Sequence, residues 1–388
     1  MEGGIYKGGF VQLEKTIYGL VQAARAWWKT LWRELNKLGF LKCDKDGCLF
    51  RKRNEEGEVI ICAYVDDMLI VGDEKAVDKT HEDLRKLYNI VVEEATEFLG
   101  CKWINTEKGY VIHQPSILKR LADTFGEEVN DLKEYITPCG EGFRLNKVRE
   151  NEPYLNEREQ TRYRSGIGIA LYLSRYSRPD ICNGTRELSK GMVKANQAHY
   201  KQMLRLIKYI LSTKNLMLKM EYSTGPWELV AYCDSDYAGD NDTRKSTTGY
   251  IMTLNGVTIC YKSKGQNIVT LSSTEAEFIA MTEATSDILF IKQIMDFLDM
   301  KMKVPVELNV DNTGAKCIAE NEYASQRTKH IDVRYLFIRE HIEKGEIKIH
   351  TVKSERNTSD LFTKNLGHKL FWEHTYKLME WIENIDIE

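Results

Sequence analysis

Several features that would settle a protein's setting at once are missing from this sequence. No two of its nine cysteines form a CxxC pair, and their number is odd. That argues against a closed disulfide framework or a zinc ribbon and for a reducing, intracellular setting. The opening stretch MEGGIYKGGF has neither a basic n-region nor an apolar core, so no secretion signal is read there. No apolar run approaches membrane-spanning length. No segment repeats another, and no tract is of low complexity. Large net charge is absent too: 55 Lys and Arg stand against 58 Asp and Glu, a balance of −3. A uniformly basic nucleic-acid binder is thereby excluded, and any such role falls to a local patch. What remains is ordinary for a folded protein, 42% hydrophobic and 29% charged, and 388 residues suffice for two or three domains with proper cores.

Periodicity organises the chain. AARAWWKTLWRELNKLGF, residues 23–40, places Trp27, Leu31, Leu35 and Leu38 at helical spacing and stops at Gly39. CLFRKR and EVIICAYV are strand-like and flank NEEG, a hairpin turn. MLIVG then leads to a polar helix over 74–88. EFLGCKWINTEKGYVIHQ reads as a second hairpin, and PSILKRLADTFG as a helix with Pro in its first turn. Residues 126–160 are acidic and polar, contain Pro138, Gly140, Gly142 and Pro153, and read as a long connection. After Gly225 the pattern changes. ELVAYCDSD is a strand ending in carboxylates, and TTGYIMTLNGVTICYKS is two strands joined by Asn255-Gly256. A long amphipathic helix, SSTEAEFIAMTEATSDILFIKQIMDFL, precedes strand VELNVDN, a short helix, a longer helix around VRYLFIREHIEKG, strand EIKIHTV and a helix from Thr358. This order predicts a compact mixed α/β domain.

Between these halves, residues 161–220 are helical and hold twelve Lys and Arg against Asp180 and Glu187 alone. Lys201, Arg205 and Lys208 share one helical face. One such face is commonly solvated surface, but so basic a stretch in a nearly neutral chain suits phosphate binding.

Carboxylates carry the chemistry. IICAYVDDMLIVG, residues 60–72, sets Asp66 and Asp67 side by side between apolar runs. Strands disfavour Asp, and adjacent carboxylates repel. The pair therefore lies in an exposed turn or holds metal. Two-metal nucleotidyl chemistry needs several carboxylates converging on ions about 3.5–4 Å apart. Mg²⁺ takes oxygen ligands, and once it binds, the repulsion becomes attraction to the ions. A second set falls at element boundaries of the C-terminal domain. Asp234 ends its first strand, Asp311 its fourth, Glu277 lies near the start of the long helix and Asp360 on the last one. Each alone is a cap or a surface charge, whereas four together make a candidate site.

KTIYGLVQAARAWW, AYVDDMLIVG, EFLG, YRSGIGIALYLSRYSRPDI, YCDSDYAGDNDTRKSTTGY, LSSTEAEFIA and RTKHIDVRYLFIRE follow one another along the chain. As a set they resemble the reverse transcriptase–RNase H region of copia-type LTR retrotransposon Pol polyproteins, from about residue 5 to about residue 366. The resemblance implies an α/β (α+β) chain. A partial polymerase palm would cover 1–110, a basic helical thumb or connection 111–225, an RNase H-like mixed-sheet domain 226–366, and a C-terminal tail 367–388. Asp66 and Asp67 would be the polymerase's metal-holding pair. Tyr64 would lie beside the primer end, and Gln22 near the incoming nucleotide and template. Asp234, Glu277, Asp311 and Asp360 would be the RNase H carboxylates. Glu275 and Asp236 are near neighbours that could be mistaken for them, but Glu277 fits the family's Glu-x-x-Ala helix start. His330, in TKHID, would tune the site or cap a helix.

The implied cofactor is Mg²⁺, with Mn²⁺ as the alternative. The implied partners are RNA–DNA hybrid and primer-template nucleic acid, met partly through Lys201, Arg205 and Lys208, together with upstream Pol segments and no membrane. The implied setting is intracellular, cytoplasmic in a virus-like particle or nuclear. Three departures qualify the polymerase half. The family's other metal-binding Asp, in an upstream DVxxAFLxG-like motif, and its fingers subdomain have no counterpart here. Its Lys-Gln-Ala-Pro is Val21-Gln22-Ala23-Ala24. The expectation is therefore an N-terminally truncated chain whose intact activity is Mg²⁺-dependent hydrolysis of RNA in hybrids, without primer extension on its own. The other reading is a non-catalytic remnant that only binds nucleic acid.

Overall fold

The computed structural model describes residues 16–17, 19–149, 152–320 and 332–383. The chain divides into two compact units, Met1–Ala95 and Thr96–Glu388.

In the first unit, α1 (Ala23–Lys37) precedes a four-stranded antiparallel sheet of β1 (Leu41–Lys42), β2 (Leu49–Asn54), β3 (Gly57–Tyr64) and β4 (Asp67–Gly72), ordered as in the chain. Helix α2 (Glu74–Leu87) follows. Burial along β3 has period two, with Val59, Ile61 and Ala63 turned inward. They share one core with Phe50 of β2, Leu31 and Leu35 of α1, and Ala76 and Leu84 of α2. Both helices thus cover the same face of the sheet.

The second unit begins with β5 (Glu97–Phe98), β6 (Cys101–Thr106), β7 (Gly109–His113) and α3 (Pro115–Asn130). Helices α4 (Glu157–Tyr176), α5 (Cys182–Ser189) and α6 (Gln197–Ser212) lead to β8 (Leu216–Glu221). A capping box starts α4: Glu159 N donates to the Asn156 side chain at 2.9 Å, and Asn156 N to the Glu159 carboxylate at 3.1 Å. Next come β9 (Leu229–Asp236), β10 (Thr247–Leu254), β11 (Val257–Gly265) and α7 (Ser273–Phe297), then β12 (Val306–Val310), α8 (Thr313–Glu320), α9 (Asp332–Glu343) and β13 (Ile347–Thr351). The described chain closes with α10 (Asp360–Thr363), α11 (His368–Leu378) and β14 (Met379–Trp381).

Two five-stranded sheets result, ordered β11-β10-β9-β12-β13 and β14-β8-β7-β6-β5. In the first, β9, β10 and β11 are antiparallel, while β12 runs parallel to both β9 and β13. Asn255 and Gly256, both at positive φ, make the expected β10–β11 turn.

Several expectations need correcting. The boundary at residue 110 falls inside β7, because the β6–β7 hairpin pairs onward with β8, a hundred residues away. The expected tail is built in: Phe371, Leu378 and Met379 are buried, and β14 pairs with β8. The final helix from Thr358 is only the single turn α10, with a separate α11 after it. The helical segment and the mixed sheet also share a core, in which Ile251 and Phe362 join Tyr163, Ile207 and Leu206. Finally, much of the positive charge in 161–220 is engaged within the fold. Arg162 meets Glu128, Arg186 meets Glu187, and Lys190 meets Glu187 and Asp240. All nine cysteines are free. Among the described residues no helix is long and apolar enough to cross a membrane.

Arg178 and Asp180 are both 2% exposed. Arg178 donates to Asp180 through two bonds of 2.8 and 2.7 Å and to Thr213 Oγ1 at 2.7 Å, and Tyr209 donates to the same carboxylate at 2.8 Å. Removing one partner of such a pair leaves a buried charge unmatched. Asp180→Ala is therefore expected to destabilise the second unit by about 3–5 kcal/mol in urea unfolding. A loss under about 1 kcal/mol would show that the pair is dispensable.

Candidate carboxylate centre

Strand β9 carries Asp234 and Asp236 at its C-terminal end, and Asp311 follows β12 directly. Because β9 and β12 are parallel with Tyr232 opposite Asn309, continuing the register by two residues sets Asp234 level with Asp311 on one face. Asp360 opens α10. The preceding loop is anchored on β9, where Asn357 Nδ2 donates to Cys233 O at 3.0 Å and Ser359 Oγ to Asn357 Oδ1 at 2.6 Å. Helix α10 fits closely against β10 at Gly249, the residue opposite Asp234. A Cβ at that glycine would stand 2.5 Å from Thr363 Cγ2 and 2.9 Å from Phe362 Cβ. One ligand oxygen from each of Asp234, Asp311 and Asp360 lies within 4.8 Å of the other two. Asp234 and Asp360 are buried and Asp311 partly so.

Glu277 joins from α7. Its Oε1 accepts from Ser235 N at 3.1 Å and Ser235 Oγ at 2.9 Å, while its buried Oε2 has no hydrogen-bond partner among the described residues. Burial first, then Asp234 and Asp311, drive the Glu277 carboxyl well above its ordinary value. Burial and then Asp234 push Asp360 up to about 7 despite Lys364. The two neighbouring acids have other tasks. Glu275 accepts from Leu271 N at 2.6 Å, while its own N–H donates to Ser272 Oγ at 3.1 Å, a capping arrangement for α7. Asp236 is held by both Arg144 terminal nitrogens, at 2.9 Å for Nη2 to Oδ1.

Three side chains here escaped the sequence reading. Thr363 Oγ1 donates to Asp234 Oδ2. Lys364 Nζ lies 2.9 Å from Asp360 Oδ1 and 3.2 Å from Asp234 Oδ2. Arg144 belongs to residues 139–149, which follow the mixed-sheet surface: Lys147 N donates to Asp242 at 2.7 Å and Gly142 N to Asn365 O at 2.8 Å. Arg144, Asp236, Asn183 and Lys364 line a cavity of about 600 Å³ beside the carboxylates. The four-residue spacing of Asp360 and Lys364 was the available signal for the lysine.

The other expected residues stand elsewhere. Asp66 and Asp67 are exposed at the β3–β4 turn, where Tyr64 pairs with Asp67. Val65 has φ +56°, a strained conformation for a β-branched residue, and its carbonyl accepts from Trp27 Nε1. No third metal-ligating side chain converges on this pair among the described residues. Tyr64 is 54% exposed, and Gln22 is the exposed N-cap residue of α1, making no side-chain cap bond. Lys201 is exposed. Arg205 stacks on Tyr135 at 4.6 Å, and Lys208 donates to Asn130 O at 3.3 Å, so packing takes up both and the basic face is narrower than expected. His330 lies outside the described residues.

The mixed sheet, three strands antiparallel and two added in parallel, bears carboxylates at adjacent strand ends, the arrangement that the sequence resemblance implied for an RNase H-like domain. Residues 5–139 match the family described as reverse transcriptase (RNA-dependent DNA polymerase). The chain is 32% identical over 371 residues to the retrovirus-related Pol polyprotein from transposon TNT 1-94 of Nicotiana tabacum, covering 93% of this chain and 27% of that protein. It is 31% identical over 372 residues to the corresponding polyprotein from transposon RE1 of Arabidopsis thaliana, covering 95% and 25%. Among solved structures, LC11-RNase H1 aligns at 18% identity with a TM-score of 0.28, over 35% of this chain and 92% of that one. Nearly the whole chain is thus similar to one stretch of copia-type transposon Pol polyproteins, and residues 5–139 to the reverse transcriptase family. It spans about a quarter of the length of the two polyproteins.

Raised carboxyl values set a sign for pH dependence. Below the ordinary value of 3.8, Asp360 is protonated both folded and unfolded, and stability is full. As pH climbs towards about 7, the folded state binds more protons than the unfolded chain, and stability falls. Glu277 adds to the fall in the same sense. Urea midpoints in chelator should therefore decline between about pH 4 and 7, at up to about 1.4 kcal/mol per pH unit per proton. Asp360→Asn should flatten part of that slope, and an unchanged slope would show that Asp360 ionises normally.

Proposed function

We propose that the mixed-sheet domain hydrolyses RNA in RNA–DNA hybrids, and that the first unit belongs to the palm of an RNA-directed DNA polymerase. One observation carries the hydrolytic reading: Asp234, Asp311 and Asp360 converge within 4.8 Å, with Glu277 bonded to the same strand. The donor set is all carboxylate oxygen, which suits Mg²⁺, or Mn²⁺, over softer metals. The unpartnered, buried Glu277 Oε2 is a further oxygen free to ligate. Divalent ions held by Asp234, Glu277, Asp311 and Asp360 would supply an activated water and charge stabilisation at the leaving oxygen.

The chain's own groups set up that chemistry. Thr363 fixes one Asp234 oxygen, and Ser235 orients Glu277. Burial and the neighbouring carboxylates raise both Glu277 and Asp360 above their ordinary values in the metal-free protein. Exposed Lys201 is available for backbone phosphates, with Arg205 and Lys208 in a lesser share, and such contacts position a duplex without reading its sequence. In the first unit, Asp66 and Asp67 are assigned as metal ligands of the polymerase and Tyr64 as a primer contact. The strained Val65 turn that presents them supports this assignment, since strain collects at functional sites.

The test uses end-labelled RNA annealed to DNA, with Mg²⁺, and compares the unaltered chain with Asp311→Asn. The expected result is cleavage lowered by at least about 10²-fold in the variant with hybrid binding retained, because a lost ligand removes charge stabilisation rather than docking. Folded protein that binds hybrid but leaves its RNA intact would overturn the hydrolytic reading and leave nucleic-acid binding alone.

A further inference from the structure

Lys364 sits where the carboxylate centre most needs positive charge. Its ammonium reaches both buried members, Asp360 Oδ1 at 2.9 Å and Asp234 Oδ2 at 3.2 Å. Among the described residues no other Lys or Arg forms an ion pair with Asp234, Glu277, Asp311 or Asp360. Arg144, which lines the same cavity, is committed to Asp236 and to Gly239 O. Local geometry explains the placement. Asp360 opens the single turn α10 and Lys364 caps it, so four-residue spacing brings the two side chains together. The lysine is 35% exposed and lines the cavity of about 600 Å³, which leaves room for its flexible stem to withdraw.

Taking these carboxylates as a divalent-metal centre, as proposed above, we propose that Lys364 is the centre's resident and displaceable counter-cation. It is a positioning residue that holds Asp234 and Asp360 together when no metal is bound, and it competes with the metal for the same oxygens. Mutual repulsion would otherwise separate two buried carboxylates, and the lysine offsets it in the empty site. A divalent ion drawn to the same carboxylates brings positive charge beside the ammonium, so its binding is opposed by Lys364 and favours the lysine's withdrawal. Lys364 thus steadies the metal-free protein and weakens metal affinity, two effects of opposite sign from one contact. A lysine serving packing alone would not couple them.

The experiment compares the full chain with Lys364→Met, which keeps the stem and deletes the charge, and Lys364→Arg, which keeps the charge. Mn²⁺ is the probe, followed by calorimetric and electron-spin-resonance titration, with melting temperatures in chelator and in excess Mn²⁺. Lys364→Met is expected to bind Mn²⁺ on the order of tenfold more tightly, since one competing charged contact is removed. It should melt lower than the unaltered chain in chelator and gain more from Mn²⁺, with Lys364→Arg close to the unaltered chain. Equal or weaker Mn²⁺ binding by Lys364→Met, with binding by the unaltered chain still abolished by Asp311→Asn, overturns the counter-cation and leaves the metal centre standing. No Mn²⁺ binding by the unaltered chain overturns both. Should Lys364→Met not fold in chelator, Lys364→Gln replaces it. Rescue of either neutral variant by excess Mn²⁺ supports the proposal, and failure of Mn²⁺ to rescue them overturns it.

Discussion

Repulsion among buried carboxylates is the constraint on which the second unit depends. Two unit charges 4 Å apart interact by roughly 4 kcal/mol even at an effective dielectric of 20. Three carboxylates in mutual reach are an expensive arrangement, and only a rigid scaffold maintains it. The scaffold here is redundant. Asp234 and Asp311 are levelled by a parallel strand pair, Asp360 is tied to β9 through Asn357, and Glu277 is bonded to the Ser235 backbone and hydroxyl. Buried aromatics back the sheet from two cores, Tyr250 and Phe278 in one and Phe362 in the other. Core packing resists the relaxation that would spread the charges apart.

The first unit meets a smaller version of the same problem by other means. Asp66 and Asp67 are adjacent yet exposed, so water and salt screen them, and their repulsion is slight. The cost is carried by backbone conformation, in the positive φ of Val65. One centre is organised by burial and packing, the other by a tight turn on a one-sided sheet.

How much of this could be read from the sequence depends on the range of the interaction. Local signals were reliable: Asn255-Gly256 marked its turn, Pro115 its helix start, and the strand-like run EVIICAYV its strand. The carboxylate cluster was largely legible because acids at strand ends leave a local trace, an apolar run closing on Asp, as at Asp234 and Asp311. Relations between distant segments were not legible. The basic character of 161–220 was plain, but the acids that engage it, Glu128 and Asp240, come from α3 and from the loop after β9. The same holds for Arg144, whose partner Asp236 lies 92 residues away. Nothing local marks residues 97–113 as neighbours of 216–221, because edge-to-edge strand pairing is settled by tertiary context.

The second sheet has a bearing on how the chain is made. Its strands enter in the order 97–113, then 216–221, and last Met379–Trp381, whose pairing with β8 completes it. A chain emerging from the ribosome at about 5–20 residues per second leaves the β8 edge without this partner until nearly the whole unit has been synthesised. An unpaired strand edge is a template for association with other chains. Late closure therefore makes the nascent intermediate the vulnerable species, and shields that edge in the finished protein.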